Sequence, residues 1–174
     1  MDLTNILGVL MGNDAVDTVS QNLKLNSNQV SSVISSALPM LLSAMQKNAS
    51  TSDGAASLSE ALGNHAGNAG NIIDNLKITD LTDGTKILGH IFGGNLSSVL
   101  NGISNKTGVA SNSVGSILAS IAPSLLALLG KGQQSSGTNA SGLEGMLGAI
   151  LGGASSSGGG LGSILGGLGS IFGK

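Results

Sequence analysis

Arginine, cysteine, tryptophan and tyrosine are absent from the chain, and aromatic residues make up only 1% of it. Without arginine there is no planar fork for bidentate recognition of phosphate or guanine. The seven lysines are scattered and the net charge is -2, so no basic stripe marks a nucleic-acid surface, and nucleic acid is not the expected partner. Without cysteine, disulfides, thiolate chemistry and cysteine metal sites are excluded, and redox logic assigns no compartment. The near-absence of aromatics leaves a core of Leu, Ile, Val, Met and Ala, which suits helix packing better than a β-sandwich. Charge is also scarce, at 9% of residues against about 25% in typical soluble domains. A surface so poor in charge does little to keep copies apart, and a homo-oligomer is expected.

Motifs that carry chemistry are missing as well. His65 and His90 are the only histidines, and no carboxylate stands at a zinc-ligand spacing from either. No Gly-x-Ser-x-Gly elbow and no phosphate loop occurs. The run "DLTDGT", Asp80–Thr85, has too few carboxylates for calcium and reads as a turn plus helix cap. The expectation is therefore a non-enzymatic protein with no metal, no cofactor and no small-molecule substrate. The opening "MDLTNILGVLMGND" has an acidic residue where a secretory signal is basic, and its apolar run is short.

What is present is self-similarity. "SNQVSSVISSALPMLLSAMQK", Ser27–Lys47, aligns without a gap on "SNSVGSILASIAPSLLALLGK", Ser111–Lys131, at an offset of 84, with nine of 21 positions identical. Pro39 pairs with Pro123, and each follows a serine three residues earlier, Ser36 and Ser120. Upstream, "NILGVLMG" at Asn5 matches "KILGHIFG" at Lys86. The reading is an all-α domain, 1–131, of two related units, 5–47 and 86–131, around an insert at 48–84.

Both units carry helical stripes. In the first they run through Ile6, Leu10, Val16 and Val19, then Val30, Val33, Ile34, Leu38, Leu41, Leu42 and Met45. In the second they run through Ile87, Leu88, Ile91, Phe92, Leu96, Val99, Leu100 and Ile103, then Val114 to Leu126, with a break at Gly93-Gly94. Ser111 or Asn112 is the expected cap of the last helix. In the insert, Ser52 or Asp53 caps a short helix with Ala56, Leu58 and Leu62 inward, and Asp83-Gly84 is a turn. Ser113–Gly130 is uncharged and almost long enough to span a membrane, but Ser113, Gly115, Ser116 and Ser120 give it a polar back. It reads as a core helix, bent by Pro123 as its twin is by Pro39, with serine or water solvating each structural kink.

Residues 132–141 have linker composition. In the tail, 142–174, apolar residues recur at Leu143, Met146, Leu147, Ile150 and Leu151, then at Leu161, Ile164, Leu165, Leu168, Ile171 and Phe172. The tail holds 13 glycines, each costing about 1 kcal/mol against alanine inside a helix. Such helices need burial against the same chain, another copy or a lipid surface, with small residues permitting close approach. These eleven residues are the expected self-association stripe. Contact with a membrane surface is the alternative for the tail.

"QNLKLNSNQVSSVI" and "NKTGVASNSVGSIL" both have a helix-turn-helix outline, yet the second helix offers Asn, Ser and Gly where a DNA reader places cations.

The stretch from Ala37 to Lys131, including "GAASLSEAL", "NIIDNL", "DGTKILGHIFGG" and "GVASNSVGSILASIAPSLLALLGK", resembles the bacterial domain-of-unknown-function family nine-three-seven, relatives of the YidB-like proteins. The resemblance implies an all-α fold with homeodomain-like helix arrangements and a bacterial, cytoplasmic protein, with export by another route left open. It carries over no catalytic residue. The function expected is that of a self-associating structural or assembly protein whose tail aids assembly. The alternative is a regulatory binding module that uses the helix-turn-helix geometry for a protein or nucleic-acid partner.

Overall fold

Helix starts are set by short polar side chains that satisfy free N–H groups. The computed structural model describes residues 3–155, and all regular structure among them is helical. The helices are α1 Leu3–Leu10, α2 Asn13–Leu23, α3 Ser27–Ala49, α4 Ser52–Ala66, α5 Ile72–Lys77, α6 Leu81–Phe92, α7 Leu96–Thr107, α8 Ser111–Ser136 and α9 Leu143–Ser155. Short 3-10 turns precede α5, α7 and α9. Asn26 opens α3 with a capping box: its side chain accepts from Asn28 N–H while the Gln29 side chain accepts from Asn26 N–H.

Three expected starts differ from those observed. Thr51, not Ser52 or Asp53, caps α4 by accepting from Gly54 N–H at 3.2 Å. Asp80 caps α6, and Asp83 and Gly84 lie inside that helix rather than in a turn. The N-cap position of α8 is Ala110, which has no side-chain acceptor, and the Ser111 hydroxyl donates to Asn101 Oδ1 at 2.8 Å. The break at Gly93-Gly94 is present, with Gly93 at φ +55°. In α4 the inward alanine is Ala55, and Ala56 is exposed.

The core is built around α8, which touches α3, α4, α6 and α7. All nine buried positions of α3, from Val30 to Ala49, are matched by a buried position 84 residues later in α8. The turn geometry follows the same spacing: α2 ends on left-handed Lys24 (φ 56°) and α7 on left-handed Gly108 (φ 74°). Ser27 Oγ donates to Asp17 Oδ1 as Ser111 Oγ does to Asn101 Oδ1. In addition α8 buries a second face, Ala119, Ser120, Ser124, Ala127, Leu128 and Gly130.

Two glycines permit this double burial. A Cβ on Gly84 of α6 would collide with the Ala119 carbonyl and lie 2.7 Å from Ala119 Cα. A Cβ on Gly130 would collide with the Leu62 carbonyl of α4. The first contact occurs where Pro123, lacking an N–H, leaves the Ala119 carbonyl without its helical donor. Beside it, Thr79 Oγ1 donates to Ser120 O at 3.3 Å. The Ser120 hydroxyl donates to Ser116 O instead of serving the proline site. Pro39 lies inside α3 on an exposed face.

α8 is long and apolar enough to cross a membrane, but 78% of its most apolar window is buried inside the fold. The helix also runs past Lys131 to Ser136, into residues with linker composition. Gln133 is buried there and donates to Ser59 Oγ at 2.8 Å, which anchors the extra turn.

Candidate interaction surfaces

The two histidines are placed apart, His65 half-buried on α4 and His90 exposed on α6. Among the described residues no three His, Asp or Glu side chains converge on a point where a metal ion would fit. His90 and Asp53 line a groove of about 430 Å³ between α4 and α6, with Leu58, Ile87 and Ile91 beneath them. Asn48, at the end of α3, closes one wall and donates its amide to Ile91 O at 3.0 Å and His90 O at 3.3 Å. It thereby satisfies two of the carbonyls that α6 leaves free at its C-terminus.

One carboxyl departs from its ordinary acidity. The Thr82 N–H, then the Thr82 hydroxyl, holds Asp80 below the usual carboxylate range, with a smaller contribution from Lys86. This is the electrostatics of a helix cap and needs no ligand.

A second groove, of about 490 Å³, lies among α6, α7 and α8. Leu81, Leu88, Leu96 and Leu100 form its apolar floor, and Ser111, Asn112, Gly115 and Ser116 form one wall. That wall is the start of the second helix in the helix-turn-helix outline, and no cation lines the groove. Leu81 is 38% exposed, and Ile78, just upstream of α6, is 81% exposed. Among the described residues Val9 and Met40 are the other large apolar side chains left open. Among the described residues there is one ion pair, Lys77–Asp74 at 3.3 Å, beside Ile78.

Of the expected self-association stripe, Leu143, Leu147 and Ile150 are buried where α9 packs on α3, and Met146 and Leu151 are half-buried. They are core residues of the same chain. Leu161, Ile164, Leu165, Leu168, Ile171 and Phe172 lie outside the described residues. The exposure of Ile78, Leu81 and Met40 is not marked by any periodic pattern in the sequence. The available signal for Ile78 is its isolation, one apolar residue between Lys77 and Thr79 outside any stripe.

A family model described as "bacterial protein of unknown function (DUF937)" matches residues 5–132. No curated protein and no solved structure matches the chain.

Proposed function

The chain belongs to the DUF937 family of bacterial proteins, and from that premise we propose that it is a non-enzymatic, self-associating structural protein. In this reading it is built from two copies of one homeodomain-like helical unit, α1–α3 and α6–α8, and the tail aids assembly. The duplication is supported by the shared burial pattern of α3 and α8, the paired left-handed turns at Lys24 and Gly108, and the paired serine bonds at Ser27 and Ser111.

The observation that carries self-association is the cluster at the α5–α6 junction. Ile78 is 81% exposed, and Leu81, 38% exposed, lines an apolar groove with Leu88, Leu96 and Leu100. Burying the Ile78 side chain contributes roughly 1.5–3 kcal/mol and the already half-covered Leu81 less, and a contiguous apolar patch marks a contact surface. Light scattering of the full chain across a concentration series tests the reading. Association that weakens in Ile78→Ser/Leu81→Ser supports it, and a strict monomer at every concentration ends it.

A second reading draws on the same groove, because its wall is the start of α8. A helix-turn-helix whose recognition face offers serine, asparagine and glycine over leucines fits a protein segment better than a phosphate backbone. A gel shift at low salt with random duplex DNA gives no retardation on this reading.

A further inference from the structure

Ile87 and Ile91 of α6 stand 81 residues after Ile6 and Leu10 of α1, in the matched stretches "KILGHIFG" and "NILGVLMG". Ile6 and Leu10 are sealed, at 0% and 1% exposed, while Ile87 keeps 9% and Ile91 6%. The difference lies in the neighbouring helix. α9 packs on both α1 and α3, whereas α4 packs on α8 and α3 without packing comparably on α6. Apart from Leu58, α4 meets this gap with Asp53, Gly54, Ser57 and Ala61, all short, and the groove of about 430 Å³ stays open. Leu58, Ile87, Ile91 and Leu126 supply its apolar surface.

The walls are held by Asn48. Its amide donates to His90 O and Ile91 O, which ties the end of α3 to the end of α6. A Cβ on Gly54 would collide with the Asn48 carbonyl, so the start of α4 is seated on the same residue. Three helix ends meet at one asparagine. The groove is therefore formed before anything enters it, which lowers the cost of binding.

Its polar groups select for charge. Asp53 is the one carboxylate in the lining and no lysine stands there. Asp53 pairs with no cation, since the ion pair among the described residues is Lys77–Asp74. Asn48 has committed both amide hydrogens to α6, so its oxygen is what it still offers, and a neutral His90 ring adds an acceptor nitrogen. α3 and α6 both finish at the groove, and helix C-termini favour positive charge. At the start of α4 the Thr51 hydroxyl already takes the Gly54 N–H, and Asp53 in that first turn repels an anion.

We infer that this groove binds a small molecule carrying a protonated amine on a short apolar body. The amine donates to Asp53, and the body lies on Leu58, Ile87 and Ile91. The volume falls in the lower part of the range for ligand pockets, about 300–1,000 Å³, which suits a single ring or a short alkyl chain. Nothing in this inference depends on whether the chain self-associates.

Phenethylamine is the probe, with phenethyl alcohol and phenylacetate as its neutral and anionic counterparts. The chain has two phenylalanines and no tryptophan or tyrosine, so a ligand ring stands out by the shifts it induces in nearby methyl groups. Titration of the full-length protein, followed in a methyl-labelled NMR spectrum, should give saturable upfield shifts at Leu58, Ile87 and Ile91. The amine should bind tightest and phenylacetate weakest. Asp53→Asn should weaken the amine by about 2–5-fold, the range of an exposed ion pair, and leave the alcohol unchanged. Ala61→Leu, which fills the groove without altering charge, should abolish the shifts for all three. The ligand series uses the unaltered chain, so it decides even where a variant fails to fold. Absence of saturable shifts at these methyls, phenylacetate binding as tightly as the amine, or an amine affinity unchanged in folded Asp53→Asn would each overturn the inference.

Discussion

Adding one methyl group at Gly84 tests how α6 is held. Gly84 lies inside α6, where alanine is otherwise favoured by about 1 kcal/mol. Against that gain stands the collision of the new Cβ with the Ala119 carbonyl, and with Ala119 Cα at 2.7 Å. Overpacking costs typically about 1–3 kcal/mol when side chains can yield. Here the obstacle is backbone in the most buried helix, so the cost lies at or above the upper end. The net expectation for Gly84→Ala is a loss of roughly 2 kcal/mol, or a fall in Tm of about 4–8 °C for a fold of this size. Gly89 is the internal control, because it lies in the same helix with nothing within 4 Å of its Cβ position. Gly89→Ala should stabilise by about 0.5–1 kcal/mol. Urea unfolding followed by circular dichroism measures both. If Gly84→Ala is as stable as Gly89→Ala, α6 is not seated on the carbonyl freed by Pro123.

Two further expectations follow from the ends of α6. Asn48→Asp keeps the shape of the Asn48 side chain but replaces a donor with an acceptor facing the carbonyls of His90 and Ile91. It should cost about 1–3 kcal/mol at neutral pH by urea unfolding, more than Asn48→Ala; equal losses would mean that the two bonds do not form. At the other end, the Asp80 carboxyl titrates below its usual range. Its stabilising effect is therefore complete above the ordinary carboxylate value of about 4 and fades as pH falls through the lowered one. Asp80→Ala should melt below the unaltered protein at pH 7, with the gap closing under acid conditions; a gap independent of pH would remove the cap's charge from the account.

The apolar stripes were legible because burial on one helix face leaves a period of 3.6 in residue type. Val30, Val33, Ile34, Leu38, Leu41, Leu42 and Met45 are all buried as the pattern requires. The second face of α8 was not legible, because Ser120, Ser124 and Gly130 carry no apolar signature. They are buried by what packs on them, and that depends on glycines elsewhere. Gly84 read as a turn beside Asp83, since the same residue type serves a bend and a close helix crossing. The starts of α4 and α6 were misplaced by one to three residues because several short polar side chains compete for each cap, and Thr51 and Asp80 have the geometry. The stripe at Leu143, Leu147 and Ile150 was visible, but its periodicity does not say which surface it meets. That surface is α3.

The central place of α8 sets the order in which the protein can mature on the ribosome. Leu58, Leu62, Ile72 and Leu76 are all made before α8 exists, yet α4 and α5 both rest on it. The end of α8 emerges about 60 residues after the end of α5, a delay of several seconds at roughly 5–20 residues per second. During that interval the first half of the chain carries a sticky, unfinished surface. A truncated product ending before Ser111 would keep that surface uncovered permanently.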